Sequence, residues 1–187
     1  MIIGIDIDDT LTTTTASVLA QHYADTGEKI DINDIRTYHI EDYVSEEYRE
    51  DFYKIFVNKN MWKRLELIPN CVEVIKRLHD KEHQIWFCTS TEASNVKKKY
   101  NFLCRTFPFI NIRKHLITTP NKQLVNFDIL IDDAVHNVVN ASYSSILLNK
   151  PWNENFDEAK YNNIYRVYDW SQVEDVVDFI ERLRYGN

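Results

Sequence analysis

The sequence predicts an α/β fold, a parallel sheet flanked by helices, with a small all-helical cap inserted after the first strand. Three observations support this prediction. Short apolar, β-branched runs typical of buried parallel strands recur at residues 2–7, 85–88, 129–131, 146–148 and 164–168. Helical apolar patterns separate most of these runs. Residues 13–68 contain no such run, and their apolar and aromatic residues recur at helical spacing.

The first predicted strand, residues 2–7, leads directly into a cluster of carboxylates and hydroxyls. Asp6, Asp8 and Asp9 lie at its end, although acidic residues are poor strand formers. Asp9 and Thr10 are candidates to cap the helix that follows. A cap explains one carboxylate and leaves the others to be explained by chemistry.

The insertion divides the chain into two predicted units. A helical cap comprises residues 13–68, and a catalytic core comprises residues 1–12 and 69–187. The length of 187 residues fits one domain with such an insertion.

The later helices have recognisable starts. Asn70 is expected to cap one helix, with a glutamate three residues later as in a capping box. Ser171 and the glutamate three residues after it have the same pattern at the start of the last helix. A further helix is predicted over residues 92–105, with Lys97–Lys99 as a solvated face.

The composition restricts the possible partners. With 44% hydrophobic residues the chain can build a sizeable core, yet no run is long enough to span a membrane. The net charge of -7 argues against a binder of nucleic-acid polymers. Three cysteines without CxxC spacing, and no signal peptide, predict a cytoplasmic protein. The expected partner is a small phosphate monoester, and the expected state is a monomer or homodimer.

The carboxylates after the first strand suit phosphoryl transfer through a carboxylate nucleophile. Residues two apart beyond a strand end can project toward the same crevice, and parallel sheets bind ligands at that edge. Asp6 can attack phosphorus, while Asp8 can protonate the leaving oxygen and later activate water. Because two carboxylates repel a phosphate, a divalent cation is required, and Mg²⁺ suits an oxygen-only site.

Other strand ends supply the remaining groups for this chemistry. Asp132 and Asp133 follow the third predicted strand, where they can hold or orient the metal ion. Thr89 and Ser90 follow the second and can supply hydroxyl and backbone donors to a phosphate. Lys122 can supply the positive charge that a transferring phosphoryl group needs.

Four motifs span residues 6 to 133: Asp6-Ile-Asp8-Asp9-Thr10, Thr89-Ser90 after a strand, Lys122 in Thr-Pro-Asn-Lys, and Asp132-Asp133 after Ile-Leu-Ile. In this order they resemble the signatures of the haloacid dehalogenase superfamily of phosphatases, of which DxDxT is the first. Four motifs in order, three of them at strand ends, are a specific signal. The resemblance implies a Rossmann-like core.

A narrower resemblance, to the 5'(3')-deoxyribonucleotidases, rests on Leu65-Glu-Leu-Ile-Pro-Asn-Cys-Val-Glu-Val-Ile-Lys, Phe87-Cys-Thr-Ser and the helical cap. In that family the first aspartate is phosphorylated and the second is the acid/base. The metal is held by the first aspartate, the backbone carbonyl of the second and a fourth-motif aspartate. The resemblance implies Mg²⁺-dependent hydrolysis of 5'- or 3'-(deoxy)ribonucleotides to nucleoside and phosphate. The metal ligands it implies here are Asp6, Asp8, and Asp132 or Asp133.

Substrate recognition and turnover leave alternatives open. Base recognition in that family uses aromatic cap residues, for which Trp62, Phe52 and Phe56 are candidates, although they could equally pack between cap helices. Animal members carry Gly-Val where this chain has Asp9-Thr10. One alternative is a phosphatase for sugar phosphates or other small phosphometabolites. The alternative outside catalysis is a phosphate- or nucleotide-binding protein that keeps the fold without turnover.

Overall fold

The computed structural model describes residues 1–139 and 141–186, and its strands form one six-stranded parallel sheet. The strands are β1 (Ile2–Ile5), β2 (Gln84–Thr89), β3 (Leu116–Thr118), β4 (Ile129–Asp132), β5 (Ser144–Leu148) and β6 (Ile164–Val167). Their order is β3-β2-β1-β4-β5-β6, so the chain begins in the middle of the sheet and winds out to both edges. The carboxyl ends of β1, β2 and β4 therefore lie side by side.

Helices connect these strands and cover the sheet. They are α1 (Thr14–Thr26), α2 (Glu46–Phe52), α3 (Lys59–Arg64), α4 (Cys71–Asp80), α5 (Ala93–Thr106), α6 (Ile112–His115), α7 (Val135–Val138) and α8 (Val173–Tyr185). Helices α1 to α3 all lie between β1 and β2, with no strand among them. The predicted α/β sheet with an all-helical insertion after the first strand is confirmed. Among the described residues, no helix has the length and apolar character needed to cross a membrane.

The centre of the sheet is buried on both faces. Ile3 and Ile5 of β1 are fully buried, in one cluster with Ile75 of α4 and Val177 of α8. The ring of Phe127 packs directly against Gly4 of β1. Only glycine fits there, because a Cβ atom would come within 2.7 Å of the ring. This packing fixes the end of β1, from which the first carboxylates project.

The insertion has a small apolar core of its own. Val18, Phe52 and Met61 are buried within it, away from the packing around the sheet. The two chain segments that join it to the sheet run beside each other, because Thr13 N donates to the carbonyl of Glu66 at 2.9 Å. The insertion is thus connected to the sheet at one edge.

Two predicted helix caps were wrong, and one strand was not predicted. Strand β3 was not predicted, because it has only three residues and exists through its pairing with β2. Asn70 makes no side-chain cap bond; it takes a left-handed conformation with φ 66° before α4. Asp169, rather than Ser171, caps the turn before α8, accepting a hydrogen bond from Ser171 N at 2.7 Å.

Candidate active site

Asp6 is held at the carboxyl end of β1. Its amide donates to the carbonyl of Ile131 at 2.9 Å, which continues the pairing with β4, and the residue is only 6% exposed. Burial raises the pKa of Asp6 to about 7; Lys122 opposes this rise, while Asp132 and Asp8 add to it. The site therefore favours a cation close to this carboxylate.

Lys122 supplies one such cation from inside the protein. Its side chain is 3% exposed, forms an ion pair with Asp6, and lies 2.7 Å from Oδ2 of Asp132. Burial alone would lower the pKa of Lys122, but the two carboxylates outweigh that effect and raise it. Tyr143 donates to the carbonyl of Lys122 at 3.1 Å, which anchors the turn that carries the lysine.

The two aspartates at the end of β4 have different partners. Asp132 accepts from the Ala134 amide at 2.9 Å and from Asn137 at 3.0 Å, in addition to Lys122. Asp133 instead accepts from two neutral donors. These are the hydroxyl of Thr10 at 3.1 Å and the indole N–H of Trp152 at 2.8 Å.

Three carboxylates converge where these strands end. Asp6, Asp132 and Asp133 each offer an oxygen, and the three oxygens lie within 4.8 Å of one another. Burial and the neighbouring Asp132 raise the pKa of Asp133 well above its ordinary value. A buried, oxygen-only group with excess negative charge fits a hard divalent cation.

The Asp8 carboxylate lies outside that trio and points to other partners. Its Oδ1 accepts from Thr14 at 2.9 Å, and its Oδ2 forms an ion pair with Lys99. The side chain is 36% exposed and borders the cavity in front of the sheet. At the end of β2, the fully buried Thr89 accepts from the same lysine at 2.7 Å, while Ser90 borders the cavity.

Lys99 was missed by sequence reasoning, and its assignment to a solvated helix face was wrong. The residue is 3% exposed, whereas Lys97 on the same helix is exposed. Helical periodicity could have predicted its burial, since Lys99 lies on the buried face of α5 with Asn95 four residues before and Leu103 four residues after. A lysine on a buried face requires a partner, which here is Asp8.

Asp9 has the conformation and contacts of a structural residue. Its φ is 52°, in the left-handed region where glycine, asparagine and aspartate are best tolerated. The carboxylate accepts from the Thr15 amide at 2.9 Å and from the Thr15 hydroxyl at 2.6 Å. It thereby satisfies one backbone amide in the first turn of α1, although the N-cap residue itself is Thr13, and Thr10, the other predicted cap, donates to Asp133 instead.

A cavity of about 950 Å³ opens between the sheet and the insertion. Polar groups of the strand ends, including Asp8, Ser90 and Asp133, border one side of it. The aromatic lining consists of Tyr38, Phe52, Tyr53, Phe56, Trp62 and Trp152. The cavity is large enough for a small-molecule ligand.

Each of the three predicted cap aromatics lines this cavity, but they differ in burial. Phe52 is 1% exposed and belongs to the core of the insertion, so it has a packing role as well. Trp62 donates its indole N–H to the carbonyl of Phe56 at 2.9 Å. Tyr38 and Tyr53, which the sequence analysis did not single out, are more than half exposed.

The family model and the relatives that match this sequence are all nucleotidases. Residues 1–184 match the family model described as 5' nucleotidase, deoxy (pyrimidine), cytosolic type C protein. A 5'(3')-deoxyribonucleotidase of Clostridium acetobutylicum is 28% identical over 182 residues, covering 95% of this chain and 97% of that protein. The 5'(3')-deoxyribonucleotidase of Bacillus subtilis is 28% identical over 117 residues, covering 62% of this chain and 64% of that protein.

Solved structures share the fold at low sequence identity. A haloacid dehalogenase family hydrolase from Deinococcus radiodurans, with bound phosphate and sodium, has a TM-score of 0.61, 12% identity, and 96% coverage of each chain. A hydrolase from Pseudomonas syringae has a TM-score of 0.59 and 15% identity, covering 95% of this chain and 98% of its own.

Proposed function

Since this chain belongs to the family of 5' nucleotidases, deoxy (pyrimidine), cytosolic type C, we propose that it hydrolyses nucleoside monophosphates, with the phosphate at the 5' or 3' position, to nucleoside and phosphate. Its enzyme class is that of the phosphoric monoester hydrolases. One observation supports the proposal most directly. Two carboxylates two residues apart are each paired with a buried lysine but differ in exposure: the side chain of Asp6 is 8% exposed, whereas that of Asp8 is 36% exposed and borders the cavity.

These surroundings suit two different tasks in one reaction. An oxygen of Asp6 attacks phosphorus and forms an acyl phosphate as the bond to the leaving ribose oxygen breaks. Asp8 gives its proton to that oxygen, which releases a neutral nucleoside. Water then attacks phosphorus, the bond to Asp6 breaks, and Asp8 takes up the proton of the water. The carboxylate of Asp6 and free phosphate are the result.

The phosphate oxygens are held by groups around these two carboxylates. The hydroxyl of Thr89, the hydroxyl and backbone of Ser90, and the ammonium of Lys122 are the proposed donors. Thr89 is the last residue of β2 and Ser90 follows it directly, next to the end of β1 in the sheet. Lys122 is buried and already paired with Asp6, so its charge is in place before the substrate arrives.

Mg²⁺ is the proposed cofactor, and the residues present fit it. The carboxylate oxygens within 4.8 Å of one another are the ligand type it prefers. We assign Asp6, Asp133 and the backbone carbonyl of Asp8 as ligands. The carboxylate of Asp132 already accepts from three donors, one of them the charged Lys122, whereas Asp133 accepts from two neutral donors. When bound, the ion offsets the repulsion between the phosphate and the carboxylates.

The insertion, residues 13–68, is proposed to act as a cap over the core formed by residues 1–12 and 69–187. It contributes aromatic faces to the cavity, among them Tyr53, Phe56 and Trp62. Such faces suit a nucleobase, and a cap that closes over the phosphate excludes bulk water.

The test is a substrate panel on purified protein with Mg²⁺. Deoxyribonucleotides, ribonucleotides and sugar phosphates would be compared by phosphate release, beside an Asp6→Asn variant that lacks the nucleophile. We expect nucleoside monophosphates to give the highest kcat/KM and Asp6→Asn to give none. Faster turnover of sugar phosphates would overturn the substrate class, and wild-type release no greater than that of Asp6→Asn would overturn the reaction.

A further inference from the structure

Lys99 lies outside the four sequence motifs, yet its ammonium group joins two side chains of the candidate site. It forms an ion pair with Asp8 and lies 2.7 Å from the hydroxyl oxygen of Thr89. The side chain is 4% exposed. Burying a lysine costs free energy unless its charge is paired. The buried ammonium group is therefore most stable where it keeps its contacts with Asp8 and Thr89.

The position of Lys99 depends on where α5 begins and on the contacts of its first turns. The helix begins four residues after the end of β2, and Asn95 occupies the same buried face one turn before the lysine. Asn95 donates to the carbonyl of Phe56 at 3.1 Å, and Lys98 donates to the carbonyl of Val57 at 3.0 Å. Contacts to the insertion thus hold the segment of α5 that carries Lys99.

Lys99 also completes the restraint of Asp8. One oxygen of that carboxylate accepts from Thr14, and the other is held by the lysine. Without Lys99, a single rotatable hydroxyl would remain to orient a side chain that is 36% exposed to the cavity. A catalytic acid must meet its target oxygen within hydrogen-bond distance, so this freedom would reduce its efficiency.

We propose that Lys99 is a positioning residue that holds the carboxylate of Asp8 in fixed relation to Thr89, and so aims Asp8 at the leaving oxygen of a phosphate bound beside Thr89. The inference rests on the proposed function, because it assigns Lys99 a role in that reaction. Lys99 acts through Asp8 and does not itself touch the substrate.

The experiment compares two leaving groups in a Lys99→Met variant. A nucleoside leaves as a poor leaving group and needs the proton of Asp8, whereas p-nitrophenolate leaves without one. For a nucleoside monophosphate we expect kcat/KM to fall about 100-fold, the scale of a misplaced catalytic group. For p-nitrophenyl phosphate we expect a fall of less than about 5-fold, since kcat/KM reports the steps up to departure of the leaving group.

A double-mutant cycle tests the path of the effect. If Lys99 acts through Asp8, adding Lys99→Met to Asp8→Asn should lower kcat/KM for the nucleotide by no more than about 2-fold further. Lys97→Met, an exposed lysine on the same helix, is the matched control and should match wild type on both substrates. If Lys99→Met does not fold, Lys99→Gln, which keeps hydrogen-bond donors without the charge, replaces it in the same comparison.

The outcomes are distinguishable. Equal losses on both substrates, with weaker inhibition by inorganic phosphate, would make Lys99 a phosphate ligand and overturn the positioning role. Additive losses in the double variant would overturn it as well. If wild type hydrolyses neither substrate, the proposed function itself fails. A wild-type enzyme that turns over both, with a selective loss in Lys99→Met, supports both conclusions.

Discussion

Trp152 donates its indole N–H to Oδ2 of Asp133 at 2.8 Å. The tryptophan comes from the turn after β5, whereas the aspartate follows β4, so two strand ends meet at one carboxylate. Asp133 is 4% exposed, and its other oxygen accepts from Thr10. The orientation of a proposed metal ligand therefore depends on a residue that no motif contains.

Trp152→Phe should weaken metal binding while keeping an aromatic ring at this position. Loss of the N–H frees Asp133 to rotate, and removing such outer partners costs about 10-fold or more in metal affinity. The measurement is the Mg²⁺ concentration that gives half-maximal phosphate release. Trp86→Phe is the control, because the indole N–H of Trp86 is buried without a partner in the described structure. Equal Mg²⁺ requirements in wild type and Trp152→Phe would contradict this assignment.

Lys122→Met should lose both stability and activity. It leaves Asp6 and Asp132 buried without their cation, and removing one partner of a buried pair costs about 3 kcal/mol in the free energy of unfolding at pH 7. Loss of the phosphate donor should lower kcat by about 100-fold or more. Urea unfolding in a chelator and steady-state kinetics measure the two effects. Lys114→Met, at an exposed position, should change neither, and a stable, active Lys122→Met would refute the pairing.

Substitutions at Phe52 and Tyr53 should distinguish a residue that packs in the insertion from one that contacts the substrate. Phe52→Ala opens the core of the insertion and should lower the free energy of unfolding by about 3 kcal/mol. Tyr53→Ala removes a ring that is 55% exposed and stacked on Phe56, so stability should change by less than about 0.5 kcal/mol. Its effect should be a higher KM for nucleotides. An unchanged KM in Tyr53→Ala would exclude that ring from the substrate site.

Glu28 should make the stability of the insertion depend on pH. Hydrogen bonds from Ser45 and from His22, whose Nε2 lies 2.6 Å away, hold the pKa of Glu28 below its ordinary value of 4.5. A lowered folded-state pKa adds stability above pH 4.5, and this stability is lost as pH falls through the folded-state value. Glu28→Gln should therefore cost about 1 kcal/mol at pH 7, and the difference from wild type should shrink below pH ~4.

Urea unfolding at several pH values measures this difference. Glu50→Gln, at an exposed position of α2, is the control and should follow wild type throughout. A gap between Glu28→Gln and wild type that stays constant down to low pH would show that the carboxylate charge of Glu28 contributes nothing.

The predictable parts of the fold are those written in local sequence. Apolar, β-branched runs predicted the strands of the sheet, because a central parallel strand must be apolar on both faces. Strand β3 carries no such signal, since three partly exposed residues become a strand only by pairing with β2. The predictions of helix caps failed for a similar reason. Asp169 and Ser171 are both able to cap, and backbone geometry around the turn decides between them.

The candidate site divides along the same line. Motif order brought out Asp6, Asp8, Asp132 and Asp133, and the parallel topology places the ends of β1 and β4 together. Lys99 was overlooked because three successive lysines suggest a solvated surface. Only its position on the buried face of α5 reveals that it reaches Asp8. Trp152 has no local signal at all.

By itself, the sequence determined the class of sheet, the presence of a helical insertion and the residues that follow the central strands, because these depend on short-range patterns of apolar and polar residues. The tertiary structure alone decided the partners: Asp132 with Lys122, Asp133 with Trp152, and Asp8 with Lys99. The paired residues lie 10, 19 and 91 positions apart in the chain. Hydrogen bonds and ion pairs act over a few ångströms, so the partners are determined only when packing brings them together.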